Sequence, residues 1–274
     1  MLRLIIALTF IATCAQAEGR RPSHCIAIAD AAPGIHYIHK AAFSDPVPDF
    51  SVRITYVDHA MFLIQTQGGL NAVTDYAGSI GSGFIPDVVT MNNAHDTHWT
   101  SFPHPDIPHV LEGWGKPPMG ADHYVDLGEM LVRNVSTDIR SRYGGPPIVN
   151  GNSIFVFEVE GLCIGHLGHL HHEPTDEQYA ALGRIDVVMA AVDGGLTLPT
   201  ETIVKVMKRL KSSAVIPMHW FGRYTLDTFL ADMADEFTIQ ESNSSEYVVS
   251  LRTLPRTPTV IVLEPIYIRS FGDD

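Results

Sequence analysis

Alternating apolar and polar residues open the central part of the chain. Val52, Ile54 and Tyr56 are separated by single residues, and this period of two predicts a strand with one buried face. An apolar run follows, and Gln67-Gly68-Gly69 predicts a hairpin turn into a further strand at 70–75. These residues therefore predict a β-meander.

Apolar strands then alternate with helices through the rest of the chain. A capping box predicts a helix after Thr175, because Thr175 and Gln178 have the right spacing to cap each other's N–H groups. Mixed strands and helices indicate an α/β (α+β) fold. Helices are predicted at 175–183, 200–211 and 225–235, and strands at 88–91, 124–135, 154–159, 162–164, 185–192, 214–218, 247–251 and 260–263.

Composition limits the kinds of partner. The chain has 274 residues, of which 45% are hydrophobic, and a formal net charge of −13. This length suits one large domain or two fused halves with a real core. The charge leaves no basic stripe that could follow a phosphate backbone, so nucleic acid is not an expected partner. The oligomeric state stays open.

The amino terminus has the features of an export signal. Arg3 precedes an apolar run at 4–14, and Ala15-Gln16-Ala17 offers a small-residue cleavage site. The apolar run is too short for a stable membrane span. We therefore predict a periplasmic or secreted protein. The alternative is a lipoprotein anchored at Cys14.

This signal divides the chain into three parts. They are a signal peptide at 1–17, an irregular arm at 18–50 and a domain at 51–274. Two cysteines, Cys25 and Cys163, remain after cleavage. In an oxidising compartment they could form one disulfide, and two unpaired thiols are an equal alternative.

Histidines cluster directly after the buried strand at 88–91. His95 and His98 lie in a small polar loop there, and loops at strand ends are common places for sites. Neutral imidazole is a frequent metal ligand. The loop resembles the His-x-His-x-Asp-His motif of the metallo-β-lactamase superfamily at its second and last histidines. Asn93 replaces the first histidine, and Thr97 replaces the aspartate.

Other segments resemble the ascorbate phosphate lactonase-like branch of this superfamily. The segment Ile54–Ile64 is similar to the first strands of that branch, and Asp75 matches an aspartate that ends the next strand near the metals. His169, which follows Gly168, stands where the family has a metal-bridging aspartate. The strand that ends in Pro217-Met218-His219 resembles one whose histidine binds metal in the branch.

The resemblance implies a four-layer αββα sandwich with a metal site at one edge. The superfamily's further metal histidine is missing between 134 and 143, and a neutral imidazole cannot bridge two metals. The expected cofactor is therefore one Zn²⁺, or another divalent ion, with an open coordination position. The expected ligands are His95, His98, His169 and His219. Asp96 or Asp75 is expected to orient the attacking water.

Such a site implies an exported metal-dependent hydrolase that acts on a small-molecule ester, lactone or phosphodiester through metal-activated water. One alternative is a lipid phosphodiesterase similar to N-acyl phosphatidylethanolamine phospholipase D. It would need an apolar rim from Trp99, Phe102 and Trp114, which lie in or beside a predicted irregular segment at 102–121. Another alternative is a retired enzyme that binds metal or ligand without turnover, because several motif positions depart from the family pattern.

Overall fold

The computed structural model describes residues 20–26, 46–81, 83–95, 97–116, 119–141 and 144–266. The predicted signal peptide and the alternative lipid anchor at Cys14 lie outside these ranges. Asp96 and most of the predicted arm at 18–50 also lie outside them.

Strands and helices alternate along the described chain. The strands are β1 (Val52–Asp58), β2 (Met61–Gln65), β3 (Asn71–Val73), β4 (Val88–Met91), β5 (His109–Glu112), β6 (Tyr124–Asp126), β7 (Met130–Ile139), β8 (Ile148–Val159), β9 (Leu162–His166), β10 (Val187–Ala191), β11 (Ala214–Met218), β12 (Thr238–Glu241), β13 (Glu246–Val249) and β14 (Thr259–Val262). The helices are α1 (Asp176–Leu182), α2 (Thr200–Leu210) and α3 (Arg223–Met233).

The strands form two sheets that share one core. The first sheet has six strands in the order β13-β1-β2-β3-β4-β5, and the second has eight in the order β12-β14-β11-β10-β9-β8-β7-β6. Side chains from both sheets, among them Ile54, Phe62 and Phe155, meet in one buried cluster. Because successive strand residues face opposite ways, Val57 and Leu63 fall on the outer face of the first sheet.

The two outer faces of the sandwich are covered differently. Ile203 of α2 and Phe229 of α3 pack in one cluster with Val188 of the second sheet. The outer face of the first sheet packs against loop side chains, including Tyr76 and Ile107. The predicted αββα sandwich is confirmed as two packed sheets with helices outside. Within the described ranges, loops form the layer over the first sheet.

The predicted capping box is present at the start of α1. Oγ1 of Thr175 accepts a hydrogen bond from the N–H of Gln178 at 3.2 Å, and the Gln178 side chain accepts one from the N–H of Thr175 at 2.8 Å. Gly183 ends the helix with φ of 69°. A Cβ there would lie 2.4 Å from the carbonyl oxygen of Cys25. Both the strained angle and the close approach therefore favour glycine.

Two strands form where the sequence predicts none. β5 lies inside the segment at 102–121, for which irregular structure is predicted, and it pairs with β4. β12 is an edge strand with mostly exposed residues, so it lacks the alternating pattern that identifies a strand. The predicted strands at 247–251 and 260–263 lie in different sheets, since β13 pairs with β1 in the first sheet and β14 pairs with β11 and β12 in the second.

Residues 20–26 of the amino-terminal arm are attached to the second sheet. A disulfide joins Cys25 to Cys163 of β9, so the structure pairs the two cysteines. Oγ of Ser23 donates a hydrogen bond to Glu158 at 2.5 Å, and the N–H of His24 donates one to the same carboxylate at 3.0 Å. A covalent bond and a buried carboxylate thus hold the same short segment.

Reduction of the disulfide is expected to lower the free energy of unfolding by about 2–5 kcal/mol. The reason is that the bond links residues 138 positions apart and so restricts the unfolded chain. Urea unfolding with and without reductant measures the effect. A variant that carries both Cys25→Ser and Cys163→Ser is the control, because reductant should not change its stability. Equal stability of the unmodified protein in both conditions would contradict the prediction.

Candidate metal centre

Strand ends from both sheets meet at one edge of the sandwich. His59 follows β1 and the His98 loop follows β4 in the first sheet, whereas His169 and His219 follow β9 and β11 in the second. The ring centroids of His59 and His98 are 5.5 Å apart, and those of His169 and His219 are 5.6 Å apart. The fold therefore gathers four imidazoles that are distant in the sequence.

A buried carboxylate holds the ring of His98. Oδ2 of Asp75 lies 2.5 Å from Nδ1 of His98, and both side chains are fully buried. Oδ1 of Asp75 accepts a hydrogen bond from the N–H of Asn92 at 3.0 Å. A lone pair on Nδ1 would repel the carboxylate, so Nδ1 carries the proton and Nε2 keeps its lone pair.

A second carboxylate holds the ring of His219. Nδ1 of His219 lies 2.9 Å from Oδ2 of Asp193. The Asp193 carboxylate also accepts hydrogen bonds from the N–H groups of Gly195 and Thr197, at 2.9 and 3.0 Å. The same repulsion argument places the proton of His219 on Nδ1, so its Nε2 also presents a lone pair.

The two lone pairs face each other. Nε2 of His98 lies 3.2 Å from Nε2 of His219. Two acceptor atoms at this distance repel unless a proton or a cation lies beside both. The donor atoms of His59, His98 and His219 all lie within 4.8 Å of one another, so one cation could contact all three. This donor set fits a divalent metal ion.

His169 has the spacing expected of a further ligand. With Zn–N distances of about 2.1 Å and tetrahedral geometry, the rings of two zinc-bound histidines have centroids about 5 Å apart. The centroids of His98, His169 and His219 are 4.8, 5.1 and 5.6 Å apart. Nδ1 of His169 is buried and makes no hydrogen bond to a described residue. The structure therefore brings together three of the four predicted ligands.

The fourth predicted ligand, His95, lies farther out. Its ring stacks on that of His169 at 5.2 Å and lies 5.7 Å from that of His98. The group of closest donor atoms consists of His59, His98 and His219, so it contains neither His95 nor His169. His95 therefore belongs to the wall of the site and is not part of its tightest cluster.

His59 is a site residue that the sequence pattern did not reveal. Its ring centroid lies 3.9 Å from that of His219, and its carbonyl oxygen accepts hydrogen bonds from the Tyr56 hydroxyl and from the N–H of His219, at 2.7 and 2.9 Å. The available signal was its position directly after β1. A single histidine in a turn is usually structural, so that signal needed the neighbouring strands to acquire meaning.

Left-handed backbone occurs at three residues of this cluster. The φ angle is 46° at His59, 43° at Asp75 and 58° at His219. Residues other than glycine adopt this region at an energetic cost, and such strain persists where surrounding contacts over-determine it. Three such residues lie together at this edge of the sandwich, and clustered backbone strain is typical of functional sites.

Two neighbouring positions support the scaffold. His166 is fully buried in β9, and its Nε2 lies 2.8 Å from the carbonyl oxygen of Ala60. Gly168 has φ of 59°, and a Cβ there would lie 2.1 Å from Nδ2 of Asn92. Only glycine therefore fits where the His169 loop passes Asn92.

The predicted catalytic role of Asp75 does not match its position. Both oxygens of Asp75 are buried and face His98 and Asn92, so the carboxylate does not reach the cavity. Burial raises the pKa of Asp75 to about 6. Asp75 is therefore a positioning residue for His98. The other predicted catalytic residue, Asp96, lies outside the described residues.

Burial keeps most of these imidazoles neutral. Loss of hydration, together with repulsion from neighbouring imidazoles, lowers the pKa of His59 and of His98 to about 3 and that of His169 to about 2. Burial and the nearby Arg140 guanidinium lower the pKa of His171 to about 4. Neutral rings keep the lone pairs that a metal ion needs.

A cavity of about 450 Å³ opens beside the cluster. Five histidines line it, namely His59, His95, His169, His171 and His219. Thr97, Arg140 and Ser141 add polar groups, whereas Leu196 and Phe221, which are 60% and 66% exposed, add apolar surface. No aspartate or glutamate is among the described residues that line this cavity.

Trp99, Phe102 and Trp114, whose side chains would favour the lipid phosphodiesterase alternative if they formed an apolar rim, do not line this cavity. The two tryptophan rings pack against each other at 5.8 Å and against the outer face of the first sheet. Phe102 is 86% exposed. Proximity in sequence to the histidine loop suggested a rim, but the chain turns these side chains to another face. The lipid phosphodiesterase alternative thus lacks the feature that would favour it.

The chain belongs to the β-lactamase superfamily. The model of the beta-lactamase superfamily domain matches residues 53–219, more than half of the chain. The matched range contains His59, His98, His169 and His219, so the whole cluster lies in this domain. A comparison with curated proteins finds no match. The predicted superfamily is therefore confirmed.

Solved structures share the fold. A Thermotoga maritima protein assigned as a Zn-dependent hydrolase of the metallo-β-lactamase superfamily is 25% identical, with a TM-score of 0.55 over 78% of this chain and 99% of that chain. The metallo-β-lactamase fold protein YhfI from Bacillus subtilis is 10% identical, with a TM-score of 0.51 over 78% and 97%. CmlA, a diiron β-hydroxylase from Streptomyces venezuelae, is 11% identical, with a TM-score of 0.51 over 75% and 55%. The last two show the fold alone.

Family and site together define the class. The superfamily match and the Thermotoga maritima neighbour confirm the predicted metal-dependent hydrolase class. The histidine cluster supplies a donor set for a divalent metal. Within the described ranges, none of the helices is both long and apolar enough to cross a bilayer.

The stability of the metal-free protein is expected to fall as the pH drops from about 6.5 toward 4. Below 6.5 the unfolded chain protonates its histidines, whereas folded His59, His98, His169 and His171 stay neutral. The unfolded state then binds more protons, which favours unfolding. Asp75 partly offsets this trend, because its raised pKa makes the folded state take up one proton near pH 6.

Urea unfolding of chelator-treated protein at pH 7.5 and at pH 5 measures this change. His171→Gln removes one of the four groups and should reduce the difference between the two pH values. His104→Ala, at an exposed histidine, is the matched control and should leave the difference unchanged. Equal stability at both pH values would show that the imidazoles are not held neutral.

Asp75→Asn is expected to weaken metal binding about 10- to 100-fold, the usual effect of losing a carboxylate behind a ligand histidine. His98 and the N–H of Asn92 face different oxygens of Asp75, and in the amide one of these oxygens becomes an NH2 group that faces a donor. Competition with a chelating dye measures the affinity. Asp232→Asn, at an exposed position, is the control. An unchanged affinity in Asp75→Asn would remove Asp75 from the metal site.

Proposed function

We propose that the protein is a zinc-dependent hydrolase that binds one metal ion and cleaves a small ester, lactone or phosphodiester. The observation that carries the proposal is the 3.2 Å approach of two Nε2 lone pairs, those of His98 and His219, each backed by a buried carboxylate. A carboxylate behind each histidine is the arrangement that orients zinc ligands. We also propose membership in the ascorbate phosphate lactonase-like branch, on the strength of the Pro217-Met218-His219 strand end.

His98 and His219 would hold the ion, with His59 and His169 on its two flanks. All four are imidazoles that meet at one strand edge. Three or four nitrogen ligands suit tetrahedral Zn²⁺ and leave room for one exchangeable position. The absence of a carboxylate among the described cavity-lining residues leaves no acidic group there to bridge a second ion, which favours a single metal.

The chain's own residues prepare this site for hydrolysis. Asp75 and Asp193 keep the protons of His98 and His219 on Nδ1, so that both Nε2 atoms face inward. When bound, a zinc ion supplies a Lewis acid and lowers the pKa of a water molecule to about 7. His95, on the cavity wall, is within reach of a substrate and is a candidate to exchange protons with it.

The size of the cavity favours a small substrate. A volume of about 450 Å³ lies within the range of sites that enclose a single small molecule. Leu196 and Phe221 offer apolar contact at the same cavity, so part of the substrate is expected to be uncharged. These features favour an ester or lactone over a long lipid.

We further propose that the protein works outside the cytoplasm. The predicted signal peptide at 1–17 supports this, and so does the disulfide between Cys25 and Cys163, because such bonds persist mainly in oxidising compartments. A tagged copy expressed in a Gram-negative host should appear in the periplasmic fraction. Recovery from the cytoplasm with an intact amino terminus would contradict export.

Protein purified without chelator is expected to contain about one equivalent of zinc and to hydrolyse members of an ester, lactone and phosphodiester panel. His98→Ala and His219→Ala should each lose the metal and the activity, because each removes a donor from the central pair. Elemental analysis and the substrate panel measure both properties. His104→Ala, at an exposed histidine, should keep both.

The possible results separate the alternatives. Two equivalents of metal would overturn the single-ion part of the proposal. Metal bound at full occupancy with no turnover across the panel would instead support a metal-binding module without catalysis. Retention of metal in His98→Ala or His219→Ala would show that the ion binds elsewhere.

A further inference from the structure

One strongly basic side chain faces the cavity. Arg140 is the only arginine or lysine among the described residues that line it, and no aspartate or glutamate accompanies it there. The whole protein has a formal net charge of −13. A cavity with a local positive charge in an acidic protein focuses its attraction on anions that reach it.

The Arg140 guanidinium is already held in place. Nη2 donates hydrogen bonds to the carbonyl oxygens of Gly195, Leu196 and Thr197, at 3.0, 2.7 and 2.9 Å. The N–H of Arg140 also donates to Nδ1 of His171 at 2.8 Å. A side chain that is fixed before binding loses little conformational freedom when a ligand arrives.

The anchoring contacts leave part of the guanidinium available. They occupy one of its nitrogens, and Nη1 and Nε make no hydrogen bond to a described residue. Arg140 also forms no ion pair within the described part of the chain. Other arginines differ, since carboxylates lie 2.5–3.0 Å from Arg133, Arg184, Arg209 and Arg223. An arginine held beside a site without a carboxylate is free to pair with an incoming anion.

Polar side chains lie next to the guanidinium. Nδ1 of His171 accepts a hydrogen bond from the N–H of Arg140, and the His171 ring lines the cavity together with Thr97. The polar side of the cavity thus offers a fixed cation beside uncharged polar side chains, which is the chemistry that recognises an oxyanion.

We propose that Arg140 binds an anionic group of the substrate, a carboxylate or a phosphate, and that the enzyme acts on small esters or lactones that carry this group. The substrate part of this statement rests on the proposed hydrolase function. The anion-binding part stands on the geometry of Arg140 alone.

The kinetic test compares an anionic ester with a neutral one. Mono-4-nitrophenyl succinate and 4-nitrophenyl acetate share a leaving group and differ in one carboxylate. The ratio of their kcat/KM values is expected to fall about ten- to hundredfold in Arg140→Gln, which corresponds to the loss of a charge-assisted hydrogen bond. Arg140→Lys should keep part of the ratio because it keeps the charge. Arg209→Gln, on the exposed face of α2, is the matched control and should not change it.

The binding test does not depend on turnover. Calorimetry with monomethyl succinate, methyl phosphate and neutral dimethyl succinate compares the purified protein with Arg140→Gln. The affinity for the two anions should fall about ten- to hundredfold in the variant, and that for the neutral diester should not. The anion that binds more tightly distinguishes a carboxylate from a phosphate.

The combined results separate this inference from the proposed function. Arginine-dependent anion binding without hydrolysis of either ester would support the anion-binding inference and contradict the hydrolase proposal. Hydrolysis with an unchanged ratio and unchanged anion affinity in Arg140→Gln would support the hydrolase proposal and contradict the inference. Equal loss of both ester activities together with metal would show that Arg140 only anchors the loop at 195–197.

Discussion

Two buried contacts between a carboxylate and an imidazole organise the functional edge of this protein. Asp75 holds His98 from the side of the first sheet, and Asp193 holds His219 from the side of the second. Each contact fixes a ring and decides which nitrogen keeps its lone pair. The two Nε2 atoms lie 3.2 Å apart. Their lone pairs repel each other unless a proton or a cation lies beside both. The arrangement of His98 and His219 therefore fits a site for a metal ion.

Each of the two carboxylates contacts Nδ1 of a histidine ring, on the side away from the Nε2 atom. Burial alone would raise the pKa of Asp193, but the contact with His219 and the N–H groups of Thr197 and Gly195 outweigh it and hold that pKa below its usual range. The Asp193 carboxylate thus remains a fixed negative charge beside the His219 ring. A cation at the imidazoles would then be balanced from behind while the cavity in front keeps no described acidic side chain. That division leaves the front of the site attractive to anions.

One loop joins the two halves of this arrangement. Asp193 binds the backbone at Gly195 and Thr197, and Arg140 binds carbonyl groups of the same loop. The carboxylate and the guanidinium therefore hold the same short segment, one through its N–H groups and the other through its carbonyl oxygens. The same short loop therefore links the residue that contacts His219 with the guanidinium that lines the cavity. Two packed sheets supply the rigid frame around it.

Local patterns in the sequence predicted a mixed fold of strands and helices and the capping box of α1, and the resemblance to the superfamily implied the sandwich and placed His98, His169 and His219 in one site. These signals depend on spacing along the chain, such as the period of two in β1 or a histidine at the end of an apolar strand. Only the tertiary structure decided that His59 joins the cluster, that Asp75 positions His98, and that the tryptophans face elsewhere. The physical reason is distance along the chain. The central pair, His98 and His219, is 121 residues apart, so its geometry exists only once both sheets have packed.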